Sequence, residues 1–358
     1  MEFLRILLLP FALIYGLVTG MRNLLFDWKI LPSERFNLPV ISVGNLSAGG
    51  TGKTPHVEYL IRLLSPNSKV STLSRGYGRK THGFLAASDA DYARTIGDEP
   101  MQYFIKYKDI KVYVDSHRRR GIKSILSAAP ETGIILLDDA FQHRYAEPGL
   151  SILLTDYHKL YCNDYLIPAG TLREPISGAS RADVIVVTKT PNVLSPIIRR
   201  KIIADLNPRA HQQIFFSFIR YGAVTSLWDQ DSAFFPEKKY SHIVLFVGIA
   251  NPYPLQDQLK KYCNDLTTLL YPDHFQYTNS DLDKIKRIFD ELYSRNKLLV
   301  TTEKDAMRLI NPDLMVKAMQ MPIHYVPIEV EFHNGDKDAF NEQILNYVES
   351  NKGKCRLH

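Results

Sequence analysis

An α/β fold built on a mainly parallel sheet is what this sequence predicts, and three features of the 358-residue chain predict it. Apolar runs of strand length recur, and most are continuous rather than alternating, as in strands buried on both faces. Helix-like segments separate them. A glycine-rich stretch follows the first run, where a strand would turn into a helix. With 45% hydrophobic and 23% charged residues the composition is that of an ordinary globular protein, and the length suits two domains.

The amino terminus comes first. Residues 6–21 (ILLLPFALIYGLVTGM) carry no charge. As a helix they span about 24 Å, short of the ~30 Å hydrocarbon core, and Pro10 weakens or kinks that helix. Arg5, Arg22 and Lys29 flank the run with positive charge, and Trp28 is nearby. Residues 1–30 therefore read as an anchor lying in an anionic membrane surface or partly inserted. A spanning helix and a cleaved signal peptide are the alternatives.

A core over residues 31–215 then holds candidate strands at 40–43, 69–73, 111–115, 133–138, 151–155 and 183–188. A smaller α/β block, 216–358, holds runs at 242–248, 297–301 and 324–330, a helix at 281–293, a terminal helix at 340–348 and a polar tail. No internal repeat or low-complexity tract interrupts them. The net charge of +6 suits an anionic partner without choosing among nucleotide, membrane and nucleic acid. Cys162, Cys263 and Cys355 are far apart, which suggests neither a disulfide framework nor a zinc site.

The first strand runs into Ser47-Ala48-Gly49-Gly50-Thr51-Gly52-Lys53-Thr54. Strand, glycine-rich loop and Lys-Thr opening a helix form a P-loop layout. Backbone N–H groups cradle phosphates there, the Lys adds a point charge and the Thr a hydroxyl for Mg²⁺. Ser47 stands where the usual pattern has its first glycine. The core thus reads as P-loop NTPase-like, with residues 47–54 as the nucleotide site.

Asp138 and Asp139 close the run 134–137, where such a fold places its metal-binding carboxylate. A polar strand end is the plain alternative. His143 follows in Phe141-Gln142-His143-Arg144 and is a candidate for phosphate or substrate contact. Ser74-Arg75-Gly76-Tyr77-Gly78-Arg79-Lys80 is a basic loop able to embrace an anion or to be a solvated turn. Asp98, in Gly97-Asp98-Glu99-Pro100, reads as a helix cap first and as a general base second. Arg118, Arg119 and Arg120 form a charge run, one of which can reach a phosphate. Arg173 and Glu174 offer a further cation and carboxylate. Asp273-His274 and Thr302-Glu303-Lys304-Asp305 read as a surface pair and a helix start.

Together these segments resemble the tetraacyldisaccharide 4'-kinase family of lipid A biosynthesis. The matching pieces include residues 43–55, Ser74-Arg75-Gly76-Tyr77-Gly78, Gly97-Asp98-Glu99-Pro100 and Asp138-Asp139-Ala140-Phe141-Gln142-His143. They continue through residues 168–174, 181–183, 248–252, Asp273-His274 and 302–305. They stand in family order between about residues 40 and 308, and their combination is specific. Thr171 replaces a common proline, a change expected to matter little.

The resemblance implies transfer of the ATP γ-phosphoryl group to the 4'-hydroxyl of a tetraacylated, 1-phosphorylated glucosamine disaccharide, giving lipid IVA. It implies Thr54, Asp139 and Glu174 around Mg²⁺ with Asp138 close by, Asp98 as base, and His274 assisting it. It also implies Arg75, Arg118, His143 and Arg173 on phosphates or sugar. A monomer at the cytoplasmic face of the bacterial inner membrane, peripheral or monotopic, follows, with no nucleic-acid partner. The rivals are a P-loop ATPase or GTPase switch acting on protein partners, against which Ala48 counts, and a nucleotide-binding scaffold without catalysis.

Overall fold

The computed structural model describes residues 2–229, 232–235 and 239–352. Strands fall within one or two residues of eight of the predicted runs, and those at 85–86, 213–221, 225–226 and 263–270 match no predicted run. In the first half these are β1 Val40–Asn45, β2 Val70–Ser74, the short β3 Leu85–Ala86, β4 Lys111–Val114, β5 Ile134–Asp138, β6 Leu150–Asp156 and β7 Val184–Thr188. Then come β8 Gln213–Tyr221, β9 Thr225–Ser226, β10 Tyr240–Val247, β11 Cys263–Leu270, β12 Lys297–Thr302, β13 Ile323–Val326 and β14 Ile328–Phe332. The helices are α1 Glu2–Asp27, α2 Lys53–Leu64, α3 Ala93–Ile96, α4 Asp98–Lys106, α5 Arg118–Ala128 and α6 Pro196–Leu206. They continue with α7 Tyr253–Leu259, α8 Asn279–Asp290, α9 Glu303–Leu309, α10 Pro312–Ala318 and α11 Asp336–Lys352.

Nine strands form one sheet in the order β14-β8-β7-β6-β1-β5-β2-β4-β3. It is parallel except at its two edges, β3 and β14. Every residue of β1, β2, β5 and β7 is buried, as continuous apolar runs require. The second sheet runs β11-β10-β12-β13-β9, with only β9 antiparallel.

The division expected at 215/216 falls inside β8, so the structure redraws it. The expected strand over 324–330 is two strands. Pro327 has no N–H to give a ladder, and the chain changes sheets there. β13 stays in the second sheet, while β14 pairs with β8 at the edge of the first. α11 then packs back on the first sheet through Phe340, Ile344 and Val348. The second sheet is thus inserted between β8 and β14. The Phe332 and Phe340 rings stack at 4.4 Å, and Tyr347 bonds both the N–H and the carbonyl of Val40. The polar tail expected at the end lies mostly outside the described residues. β11 was not anticipated because, at the sheet edge, it is largely exposed and lacks an apolar run.

α1 is longer than the apolar run and continues through Pro10 to Asp27. It is one helix apolar and long enough to cross a membrane by length and composition. Its two faces differ. Ile6, Leu7, Phe11, Leu13, Ile14, Leu17, Val18, Met21 and Leu24 are exposed. The opposite face is docked: the Tyr15 hydroxyl donates to the Arg173 carbonyl at 2.7 Å, and Asn23 donates to Glu174 at 2.8 Å. Arg22 donates to the Gln142 carbonyl, and Ala12 and Phe26 are buried.

Candidate active site

The P-loop sits at the carboxyl end of β1, between β5 and β6. Left-handed backbone falls on Gly49 (φ 116°) and Gly52 (φ 87°), whereas Ser47 has no positive φ. This is why serine is tolerated where the usual pattern has glycine: the turns that need glycine lie further on. A Cβ at Gly49 or Gly50 would meet nothing within 4 Å, so the cradle is open. The loop is pinned from behind. Ala48 N–H donates to the Thr171 carbonyl at 2.7 Å, and Thr188 Oγ1 donates to the Thr51 carbonyl. Lys189 Nζ donates to the Gly50 carbonyl at 2.5 Å and to Asp156 at 2.7 Å. His56 Nδ1 donates to the Gly52 carbonyl at 2.7 Å; burial holds this ring's pKa down to about 4, so it is neutral.

The register pairs Val43 with Asp138, setting the acids beside the loop. Lys53 Nζ lies 3.5 Å from Asp139 and 3.4 Å from Asn45 Oδ1. Asp139 also pairs with Arg173 at 3.1 Å. Burial pushes its pKa up, but Lys53 and Arg173 outweigh that, and the net direction is down. Asp138 behaves oppositely. Burial, then Glu99 and Asp139, raise it to about 6 against Lys53 and Arg118. Its Oδ2 is within 3.1 Å of the Tyr103 hydroxyl, while Oδ1, buried, has no partner. Asp139 sits at φ 48°, an unusual conformation for a non-glycine residue.

At the far side, Asp98 opens α4, but Gly97 is the cap, so the expected capping role is absent. Its carboxylate instead faces the second sheet. Oδ2 lies 2.8 and 2.7 Å from Arg308 Nε and Nη2, and 3.3 Å from His274 Nδ1. Burial opposes its ionisation, yet His274 and Arg308 together bring its pKa below the ordinary value. The bond to Asp98 raises His274 against burial. Next to it Glu99 pairs with Lys304 at 2.8 Å. The 302–305 segment is indeed a helix start, Thr302 capping through Asp305 N–H, but it also delivers Lys304 and Arg308 to α4.

The model of the family described as tetraacyldisaccharide-1-P 4'-kinase matches residues 4–349 of this chain. The chain belongs to that family. Tetraacyldisaccharide 4'-kinase of Bacteroides thetaiotaomicron is 44% identical, the match covering 96% of this chain and 93% of that protein. The same enzyme of Flavobacterium johnsoniae is 43% identical, covering 98% and 99%. A crystal structure of LpxK from Aquifex aeolicus in complex with ATP superposes with a TM-score of 0.74 at 26% identity, over 96% of this chain and 99% of that one. The activity is therefore that of a tetraacyldisaccharide 4'-kinase, an ATP-dependent kinase of lipid A biosynthesis.

Two residues of the 4'-kinase site inferred from sequence are held by contacts within the protein. Glu174 is engaged by neighbouring side chains. Both its oxygens accept from Arg181 at 2.9 and 2.8 Å, and Gln142 and Asn23 take the remaining directions. Arg118 is 2% exposed. Its Nη1 and Nη2 donate to the backbone carbonyls of Asp115, at 2.5 Å, and Asp138, at 2.8 Å, while its buried Nε has no partner. It ties the ends of β4 and β5 together instead of reaching outward. Arg119 and Arg120 pair with Glu34 and Asp115.

Arg75 is exposed at the end of β2, near Arg118 and His143. His143 is half-buried and neutral: burial, then Arg118 and Arg75, take its pKa to about 4. It lines a cavity of about 760 Å³ between the end of α1 and the core, with Phe26, Arg35, Arg144 and Arg181. Thr171 matters more than expected, since its N–H and hydroxyl both donate to Asp164. A proline there would lack the first of these. Arg308, Lys189, His56 and Asn45 were missed. Arg308 had one signal, a cation one turn beyond Asp305.

The nucleotide and metal fit these residues. Thr54 is buried at the first turn of α2, next in the chain to Lys53, whose Nζ lies 3.5 Å from Asp139. Among the described residues no group of three or more His, Cys, Asp or Glu forms a metal cage. Mg²⁺ is commonly held by one or two carboxylates plus phosphates.

Proposed function

We propose a division of labour for this transfer. The backbone of residues 47–52 and Lys53 hold the β- and γ-phosphates of ATP. Asp98 accepts the proton of the 4'-hydroxyl. The hydroxyl oxygen bonds to the γ-phosphorus as the bridging P–O bond breaks, and ADP leaves with that oxygen, giving lipid IVA. Thr54, Asp139 and the unpartnered oxygen of Asp138 would hold Mg²⁺. When bound, that ion neutralises charge on the phosphates. Arg173 adds positive charge beside Asp139, and Arg75 and His143 face the acceptor headgroup. Arg118 supports the site as a brace.

The observation that carries this reading is the open glycine cradle set beside the strand end of Asp138 and Asp139. Phosphoryl transfer asks mainly for positioning and charge neutralisation, which this set can supply. The exposed apolar face of α1 lies in the membrane surface while its polar face stays on the core. A monotopic arrangement follows, at the cytoplasmic face, where ATP is found, with the chain acting as a monomer. The docked face argues against a removable leader.

Radiolabel transfer from γ-labelled ATP to tetraacyl disaccharide 1-phosphate in micelles, with Mg²⁺ or EDTA, tests the reading. Mg²⁺-dependent labelling of the lipid is expected. ATP binding and turnover indifferent to the lipid would instead favour a switch acting on protein partners.

A further inference from the structure

Arg308 is a buried cation near the site: a guanidinium on α9, its side chain 1% exposed, reaching from the second sheet to the Asp98 carboxylate on α4. Its Nε and Nη2 both donate to Asp98 Oδ2. Its Nη1 donates to Asp305 Oδ1 at 2.7 Å and to the Gly248 carbonyl at 3.0 Å. Asp305 is itself fully buried and accepts from Gly248 N–H at 3.0 Å and from Thr302 Oγ1 at 2.7 Å. Asp305, Gly248 and Thr302 thus fix the fork before it meets Asp98. There is little room for it to relax, since a Cβ on Gly248 would already lie 3.1 Å from Asp305 Oδ1.

All the hydrogen bonds to the Asp98 carboxylate from described side chains converge on Oδ2: two from Arg308 and the contact with His274 Nδ1. Oδ1 receives none among the described residues. Resting on the assignment of Asp98 as the base, we infer that Arg308 is a positioning residue which saturates Oδ2 and so makes Oδ1 the atom that takes the acceptor's proton. The base is then set only while the second sheet is docked, because the fork belongs to α9. A guanidinium is suited to this, since its planar fork fixes direction as well as charge. Around Asp98 the charged groups are Arg308 and Lys304 of α9, His274 from the segment before α8, and Glu99 of its own helix.

The test is a pH profile of kcat for Arg308→Gln, Arg308→Lys and Asp98→Asn on intact protein in mixed micelles, each checked for a cooperative thermal transition. Arg308→Gln should lower kcat about tenfold and move the acid limb up by about one pH unit, with KM for ATP little changed. Arg308→Lys restores charge without the fork, so the acid limb should return while kcat stays low. A wild-type kcat and acid limb in Arg308→Gln overturns the inference. If that variant does not fold, the lysine variant decides: lowered kcat at unchanged KM supports the positioning role, and unchanged kcat overturns it. Retained kcat in Asp98→Asn would instead remove the base assignment itself.

Discussion

The phosphate end of the site comes from one stretch of chain, residues 47–54, whereas the base end draws on residues 98, 274, 305 and 308 from two sheets. The first is closed by local turns at Gly49 and Gly52 and stays complete however the second sheet sits. The second exists only when α9 and the loop holding His274 meet α4. Contacts between distant segments carry a loop-closure cost that local ones do not. On the proposed roles the two tasks separate: nucleotide binding would be built in, while competence for transfer would be assembled.

Substitution at the local end should have the largest effect. Lys53→Ala is expected to lower kcat by about 10³-fold or more in the lipid assay, with the melting temperature nearly unchanged. Substantial residual turnover would move the phosphates away from this loop. Next is the assembled end. Asp98→Ala should cost about 10²-fold or more in kcat while ATP still binds; an effect confined to KM would make Asp98 a binding residue and blur the contrast.

These two ends were not equally legible in the sequence. The P-loop, the Asp138–Asp139 strand end and eight of the strands could be read directly, because each depends on neighbours in the chain. Arg308 could not, since nothing in residues 302–309 says which carboxylate 210 positions away it meets. The surroundings of Glu174 were hidden for the same reason: as a carboxylate beside Arg173 it suits a metal, and only the fold brings Arg181, Asn23 and Gln142 onto it. The division at 215/216 failed because a polypeptide can leave a sheet and return, as this one does after Pro327. The resemblance to the 4'-kinases supplied the proposed base role of Asp98, which spacing alone would have assigned to a helix cap.

Two smaller effects sharpen the comparison. Removing residues 2–21 should shift the protein from membrane to soluble fractions; unchanged retention on vesicles would put the membrane contact elsewhere. The smallest effect concerns pH. His274 has its pKa raised by Asp98 above the ordinary 6.5. Its contribution to docking the second sheet is therefore full below pH 6.5 and fades as pH climbs through the raised value. The Asp98 side of the pair is present above the ordinary carboxylate value of 3.8 and fades as pH falls through its lowered one. Wild type and His274→Ala should differ most in melting temperature around pH 5–6 and converge at alkaline pH. A constant difference at all pH values would mean that the ring acts by packing alone.

The grip on α1 has a consequence for how the reaction is counted. Tyr15 and Asn23 fasten the helix to the carbonyl of Arg173 and the carboxylate of Glu174, and Arg173 also holds Asp139. In the membrane arrangement proposed above, a helix fixed in this way would keep the catalytic groups at a constant height above the lipid plane. Enzyme and acceptor would then search for each other in two dimensions. Turnover should scale with the mole fraction of acceptor in the surface, and diluting it with inert lipid should slow the reaction even when every concentration in the tube is unchanged.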